Sequence, residues 1–182
     1  VNDNVHSIFY AEEQVGFFAG YAAVMEGYRS LGFMGGMAVP AVIRYGYGFV
    51  QGAEYAAAQE QVEVTLQYTY LGNFDPTPAN QTRAAAWFSS GVEVIFAAAG
   101  GAGNSVMAAA EASDGKVFGV DVDQSAESDT VIQSAKKALG LSVYESLTDF
   151  YAGTFKGGVI DVLGVVEDGV SLHDDFSRMS NF

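Results

Sequence analysis

Short apolar runs of strand length alternate with longer segments of helical spacing along the whole chain, and this alternation restricts the fold more than any other feature. Val5–Tyr10 reads as a strand, and Glu12–Glu26 then carries Phe17, Phe18, Tyr21, Val24 and Met25 at near-helical intervals. Leu31–Met34 is a brief apolar run closed by Gly35 and Gly36. Pro40 suits the first turn of a helix running to about Gln59. Gly46, Gly48 and Gly52 inside it cost helix stability and point to close packing on a sheet. Val62–Tyr70 alternates with period two, Leu71–Pro78 is a loop, and Ala79–Ser90 is a helix. Val92–Ala98 is a buried-type strand, Gly100–Gly103 turns into a helix over Ser105–Ala112, and Lys116–Val120 is a further strand. Val131–Ala135 (strand), Leu141–Ala152 (helix) and Val159–Val165 (strand) come next, with a polar tail after Asp168. The pattern predicts an α/β fold: a mostly parallel sheet with right-handed crossovers, flanked by helices in three layers. Such sheets bind ligands at the carboxyl ends of their strands. The loops after Tyr10, Met34, Tyr70, Ala98 and Val120 are therefore the ones to watch.

The chain has 182 residues, enough for one domain with a core, and 49% of them are hydrophobic. Eight Lys and Arg against 22 Asp and Glu give a formal net charge of -14. That field repels a nucleic-acid backbone and an anionic lipid surface. There is no cysteine, hence no disulfide, thiolate catalysis or Cys-ligated metal. No apolar run reaches the roughly 18 residues of a spanning helix. The start at Val1 and the end at Phe182 suggest a piece of a longer protein.

Five groups of residues carry possible chemistry. The turn Ala97–Ser105 (AAAGGAGNS) comes after a strand and opens a helix, so its N–H groups could meet an anion or a polar ligand edge. Gly101 and Gly103 fit a dinucleotide fingerprint, and Asp121 stands about 20 residues on, but Val106 replaces the third glycine. A nucleotide cofactor, a bare tight turn and a small-ligand contact all remain open. Asp121 and Asp123 end an apolar strand, where a carboxylate can accept two hydroxyl hydrogen bonds from a sugar ring or simply cap the next helix. Lys136 and Lys137 could donate to the same hydroxyls or balance Asp121, or could be a solvated pair. Phe96, on the strand before the glycine turn, could stack on a planar ligand or belong to the core. Glu12 and Glu13 could be paired acids, or ordinary acids of a first helical turn. The only histidines, His6 and His173, stand in no metal-binding or nucleophilic pattern. Neither a catalytic centre, a cofactor nor a metal is expected.

Taken together, the stretches Ser7–Ala23, Leu31–Ala53, Tyr70–Pro76, Val92–Val106 and Gly119–Ser125 with the later VIQSAKK resemble the basic membrane protein family of bacterial ABC-transporter lipoproteins, which includes purine-nucleoside receptors. The resemblance implies a type I periplasmic-binding-protein fold, in which two lobes close on a ligand, and residues 1–182 as a single lobe, the C-terminal one. Residues 1–10 would cross from the other lobe and residues 131–152 would cross back to it. It implies a nucleoside ligand, a membrane permease as partner and a location outside the cytoplasmic membrane, lipid-anchored or periplasmic. Asp121 would hold ribose hydroxyls, Lys136 would assist, Phe96 and the backbone of Gly101 and Gly103 would border the base, and Glu12 would face the cleft. Ala102 stands where the family often has threonine.

Two alternatives remain on sequence grounds: the effector domain of a transcription regulator with the same fold, and a nucleotide-dependent enzyme domain. The apolar residues of 131–152 need burial, either on this lobe or by segment exchange with a second copy.

Overall fold

The computed structural model describes residues 1–182. A six-stranded sheet forms the centre, in the order β3 (Thr65–Tyr70), β2 (Ser30–Gly35), β4 (Val94–Phe96), β5 (Lys116–Asp121), β6 (Val131–Lys137), β8 (Val170–Leu172). All neighbours are parallel except β6 and β8. Helices α1 (Glu12–Glu26) and α2 (Pro40–Glu60) cover one face, while α3 (Pro78–Ser89) and α4 (Gly103–Ser113) cover the other. A second sheet of two parallel strands, β1 (Ser7–Tyr10) and β7 (Ile160–Leu163), stands apart with α5 (Leu139–Ala152).

The period-two pattern of the strands explains the layers. Leu31, Phe33, Val94, Phe96, Phe118 and Val120 face α1 and α2, whereas Met34, Ile95, Ala97 and Val117 face α3 and α4. A strand buried on both faces reads as a continuous apolar run, as VIF and VFGV do.

Helix α1 lies unusually close to α2. A Cβ added at Gly20 would stand 2.0 Å from the Phe49 carbonyl oxygen, and one at Gly52 would stand 1.9 Å from that of Phe17. Gly48 and Gly52 thus pack on α1 and not on the sheet, against the expectation from their spacing; only Gly46 meets the sheet, at Phe33 and Tyr68. Backbone contact between two helices requires glycine on both, and here it is found on both.

Two further sequence expectations need correction. The tail after Asp168 is not merely polar: Val170–Leu172 adds an antiparallel edge strand to β6 and buries Val170. The segment 131–152, expected to leave as a unit, divides instead. Val131 and Ile132 are buried within the main sheet, and only α5 projects, leaving Leu141, Val143, Tyr144 and Leu147 exposed.

Candidate functional site

The loops after β2, β3, β4, β5 and β6 converge at one end of the sheet. Between them lies a cavity of 290 Å³ whose wall includes Val42, Tyr45, Phe74, Gly100, Asp121 and Lys137. Strand carboxyl ends of a parallel sheet open where the sheet's neighbouring loops part, so the position is a consequence of the topology. A larger groove of 420 Å³ lies on the outside of α1 and α2, among Phe17, Phe18, Tyr47 and Val165. The strand-end loops that bring the chain's polar groups together do not reach it.

Asp121 is the last residue of β5 and is 44% exposed in its side chain. Its φ of 66° lies in the left-handed region, which aspartate tolerates better than most residues. Oδ1 accepts from the Tyr45 hydroxyl at 3.2 Å and pairs with Lys137 Nζ at 3.1 Å. The other oxygen is left without either partner. Burial raises the pKa of Tyr45, and the Asp121 and Glu12 carboxylates raise it further, so this phenol stays a donor across the ordinary pH range.

Lys137, not Lys136, completes the site. Its ammonium lies 3.1 Å from Glu12 Oε1 and 5.2 Å from the Tyr45 ring centroid. Lys136 points to the opposite side, 3.7 Å from Asp174. Asp121 and Lys136 are register partners and would ordinarily share a face. The left-handed turn at Asp121 swings its carboxylate to the Lys137 side. Both phases of β6 are buried, Val131 and Ala135 in that of Lys137 and Ile132 and Ser134 in that of Lys136, so strand phase alone does not single out Lys137.

The remaining candidates fall into two groups. Glu12 is buried, with Arg44 Nε 2.7 Å from Oε2 and Lys137 on Oε1. Phe96 is fully buried and meets Tyr45 edge-on at 5.6 Å, beneath the cavity and not in its wall. The aromatic wall is Phe74, in the loop after β3. Its ring lies so close to Gly36 that a Cβ there would be 2.2 Å away. Phe74 escapes sequence reasoning because its loop is marked only by its breakers. The Gly101 and Gly103 turn serves this loop: Ala102 N–H donates to the Phe74 carbonyl at 2.9 Å, and Ser105 Oγ donates to that of Thr77 at 3.1 Å. Gly100 of the same turn lines the cavity, and Gly101 beside it is exposed, while Gly103 is buried. Asp123 caps its own loop, accepting from Ser125 N at 3.0 Å, and this bond holds its pKa below the usual value.

Arranged this way, the site can hold a neutral, hydroxyl-bearing ligand with a flat part. A carboxylate edge accepts hydroxyls, an ammonium stands beside it already balanced by two carboxylates, and an aromatic face lines one wall.

Comparison with known proteins identifies the family. The family model described as "ABC transporter substrate-binding protein PnrA-like" matches residues 1–181. Basic membrane protein D of Borreliella burgdorferi is 35% identical over 98% of the chain and 53% of its own length. The ABC transporter nucleoside-binding protein BmpA of Lactococcus lactis subsp. cremoris is 30% identical over 93% of the chain and 52% of its own length. A solved solute-binding protein of an ABC transporter system from Aeropyrum pernix K1 superposes with a TM-score of 0.83 at 31% identity, over 94% of this chain and 50% of that one. The chain thus spans about half the length of these relatives. It belongs to the PnrA-like, basic membrane protein family of ABC transporter substrate-binding proteins.

Proposed function

We propose that the chain forms one lobe of a two-lobed receptor that binds a nucleoside and delivers it to a membrane permease, outside the cytoplasmic membrane. One observation carries the ligand class: an anchored, half-exposed carboxylate at Asp121, beside an ammonium that is already neutralised and an aromatic wall at Phe74. A ribose offers two adjacent hydroxyls to such a carboxylate, and a base offers a flat face to the phenyl ring. The name of the Lactococcus lactis relative supports the same ligand class. The exposed apolar residues of α5, β1 and β7 suit coverage by the half of the family's length that lies outside this chain.

NMR titration of the 182-residue chain with adenosine, uridine and ribose tests the reading. With half of the cleft contributed elsewhere, binding is expected near the millimolar range, about -4 kcal/mol. Shifts should centre on Asp121, Lys137 and Phe74 and disappear in Asp121→Asn. Absence of any response to nucleosides would withdraw the ligand class, and submicromolar binding by this chain alone would overturn the two-lobed arrangement.

A further inference from the structure

Glu12 is only 3% exposed, and both of its oxygens are occupied, one by Arg44 and one by Lys137. It has no face left for a ligand. The four charges alternate in space: Arg44 from α2, Glu12 from the start of α1, Lys137 from the end of β6 and Asp121 from the end of β5. Resting on the nucleoside reading above, we infer that Glu12 is a positioning residue: it fixes the Lys137 ammonium against Asp121, so that the free carboxylate oxygen faces the ligand's paired hydroxyls.

The reason is the nature of lysine. Its four-carbon stem has many rotamers, and a single ion pair with a half-exposed carboxylate is weak and screened. With Asp121 as its only anionic partner, Lys137 would sample several positions. A second, buried carboxylate on its other side removes that freedom, because without Lys137 the buried Glu12 Oε1 would have no partner, Arg44 holding only Oε2. The rings of Tyr10 and Tyr45, 5.6 and 5.2 Å from Nζ, close the remaining sides.

The placement also fits the chain path. Glu12 and Lys137 stand at two of the three points where the chain passes between the main sheet and the β1, β7 and α5 unit. The third is tied to them through Ala11 N–H to the Leu163 carbonyl at 3.0 Å and Ala138 N–H to that of Gly169 at 2.9 Å. The cation of the site is therefore pinned from the crossings themselves.

The test uses the ammonium ¹H–¹⁵N signals of the chain, which has four lysines. Lys137 should give the slowest-exchanging signal. In Glu12→Gln that signal should broaden away while those of Lys116, Lys136 and Lys156 persist, and Glu12→Asp should restore part of it. The affinity for adenosine should fall about tenfold and that for 2′,3′-dideoxyadenosine less than about twofold, since only the hydroxyls depend on the placed carboxylate. An unchanged Lys137 signal, or equal losses for the two ligands, would overturn the inference. Should Glu12→Gln fail to fold, an acid titration of the unaltered chain decides. The Lys137 nitrogen must then move with the Glu12 carboxyl resonance, and movement with Asp121 alone overturns the pairing. Failure of the nucleoside reading is visible separately, as no response of the unaltered chain to adenosine while its lysine signal is intact.

Discussion

A hydroxyl ligand gains from a carboxylate only what the carboxylate's other partners leave available, so the residues behind Asp121 decide its strength. Lys137 and Tyr45 share Oδ1 and leave the other oxygen to the cleft. Lys137→Met should therefore weaken nucleoside binding about tenfold to a hundredfold, the range for a lost bond to a charged group, and Lys136→Met should change it by less than about twofold. NMR or calorimetric titration of both variants checks the assignment; the reverse ranking would reject it. Tyr45 makes a separate prediction. Its folded-state pKa is raised by burial and by nearby carboxylates, while in the unfolded chain it ionises near 10.0. Below that pH the stabilisation is complete, and as pH rises above it the unfolded state loses a proton that the folded state keeps. Stability should then fall by about 1.4 kcal/mol per pH unit on account of this residue. Over about pH 9 to 11, on either side of the ordinary phenol value, the stability of Tyr45→Phe measured by denaturant unfolding should fall by about 1.4 kcal/mol less in total than that of the parent, about half a proton in mean slope, and an equal fall would place the alkaline loss elsewhere. The sequence makes Asp121 and Glu12 legible because a carboxylate at a strand end, or at the start of a helix, is a local pattern. Lys137 is not legible in the same way, because its choice over Lys136 depends on one left-handed residue on a different strand.

At the scale of elements, the glycine contact between α1 and α2 sets the geometry on which the charges depend. Only helices at backbone distance bring Arg44 of α2 onto the first residue of α1. Gly20→Ala would force a methyl group to within 2.0 Å of the Phe49 carbonyl oxygen, and backbone cannot give way as a side chain can. The expected cost is about 1–3 kcal/mol or more, as for overpacking in a tight core. Thermal unfolding should register it as a clear drop in Tm, while Gly72→Ala, with open space around its Cβ position, should cost only the strain of its φ of 85°. Equal losses for the two would mean that the helices can separate freely. The order and kind of the larger elements are readable from sequence because the central strands are buried on both faces and the helices intervene regularly. The three-residue strand β8 is not, since so short a run has no measurable period. The partner of Gly48 and Gly52 is not readable either, because glycine spacing says that something comes close but not what.

For the whole molecule, the question is what covers the unit formed by β1, β7 and α5. Tyr144, Phe150 and Tyr151 are 69%, 61% and 84% exposed on α5, and Ile160 and Val162 are more than half exposed on β7. Contiguous apolar surface of this kind marks an interaction face in a soluble protein. The two-stranded sheet also has unpaired edges, which invite further strands. In the proposed two-lobed receptor the rest of the family's length provides that cover, and the crossings at Glu12, Lys137 and Leu163 become the hinge between lobes. The chain by itself leaves the face open and should self-associate through it, by docking or by exchange of α5 between copies. Sedimentation velocity should show a concentration-dependent rise in mass, which Tyr144→Glu combined with Phe150→Glu abolishes without changing the circular dichroism, because both side chains are exposed. A chain that stays monomeric at every concentration would mean that the face is tolerated in water. A dimer that survives the double substitution would move the contact elsewhere, toward the groove formed by Phe17, Phe18 and Tyr47 on the outer side of α1 and α2.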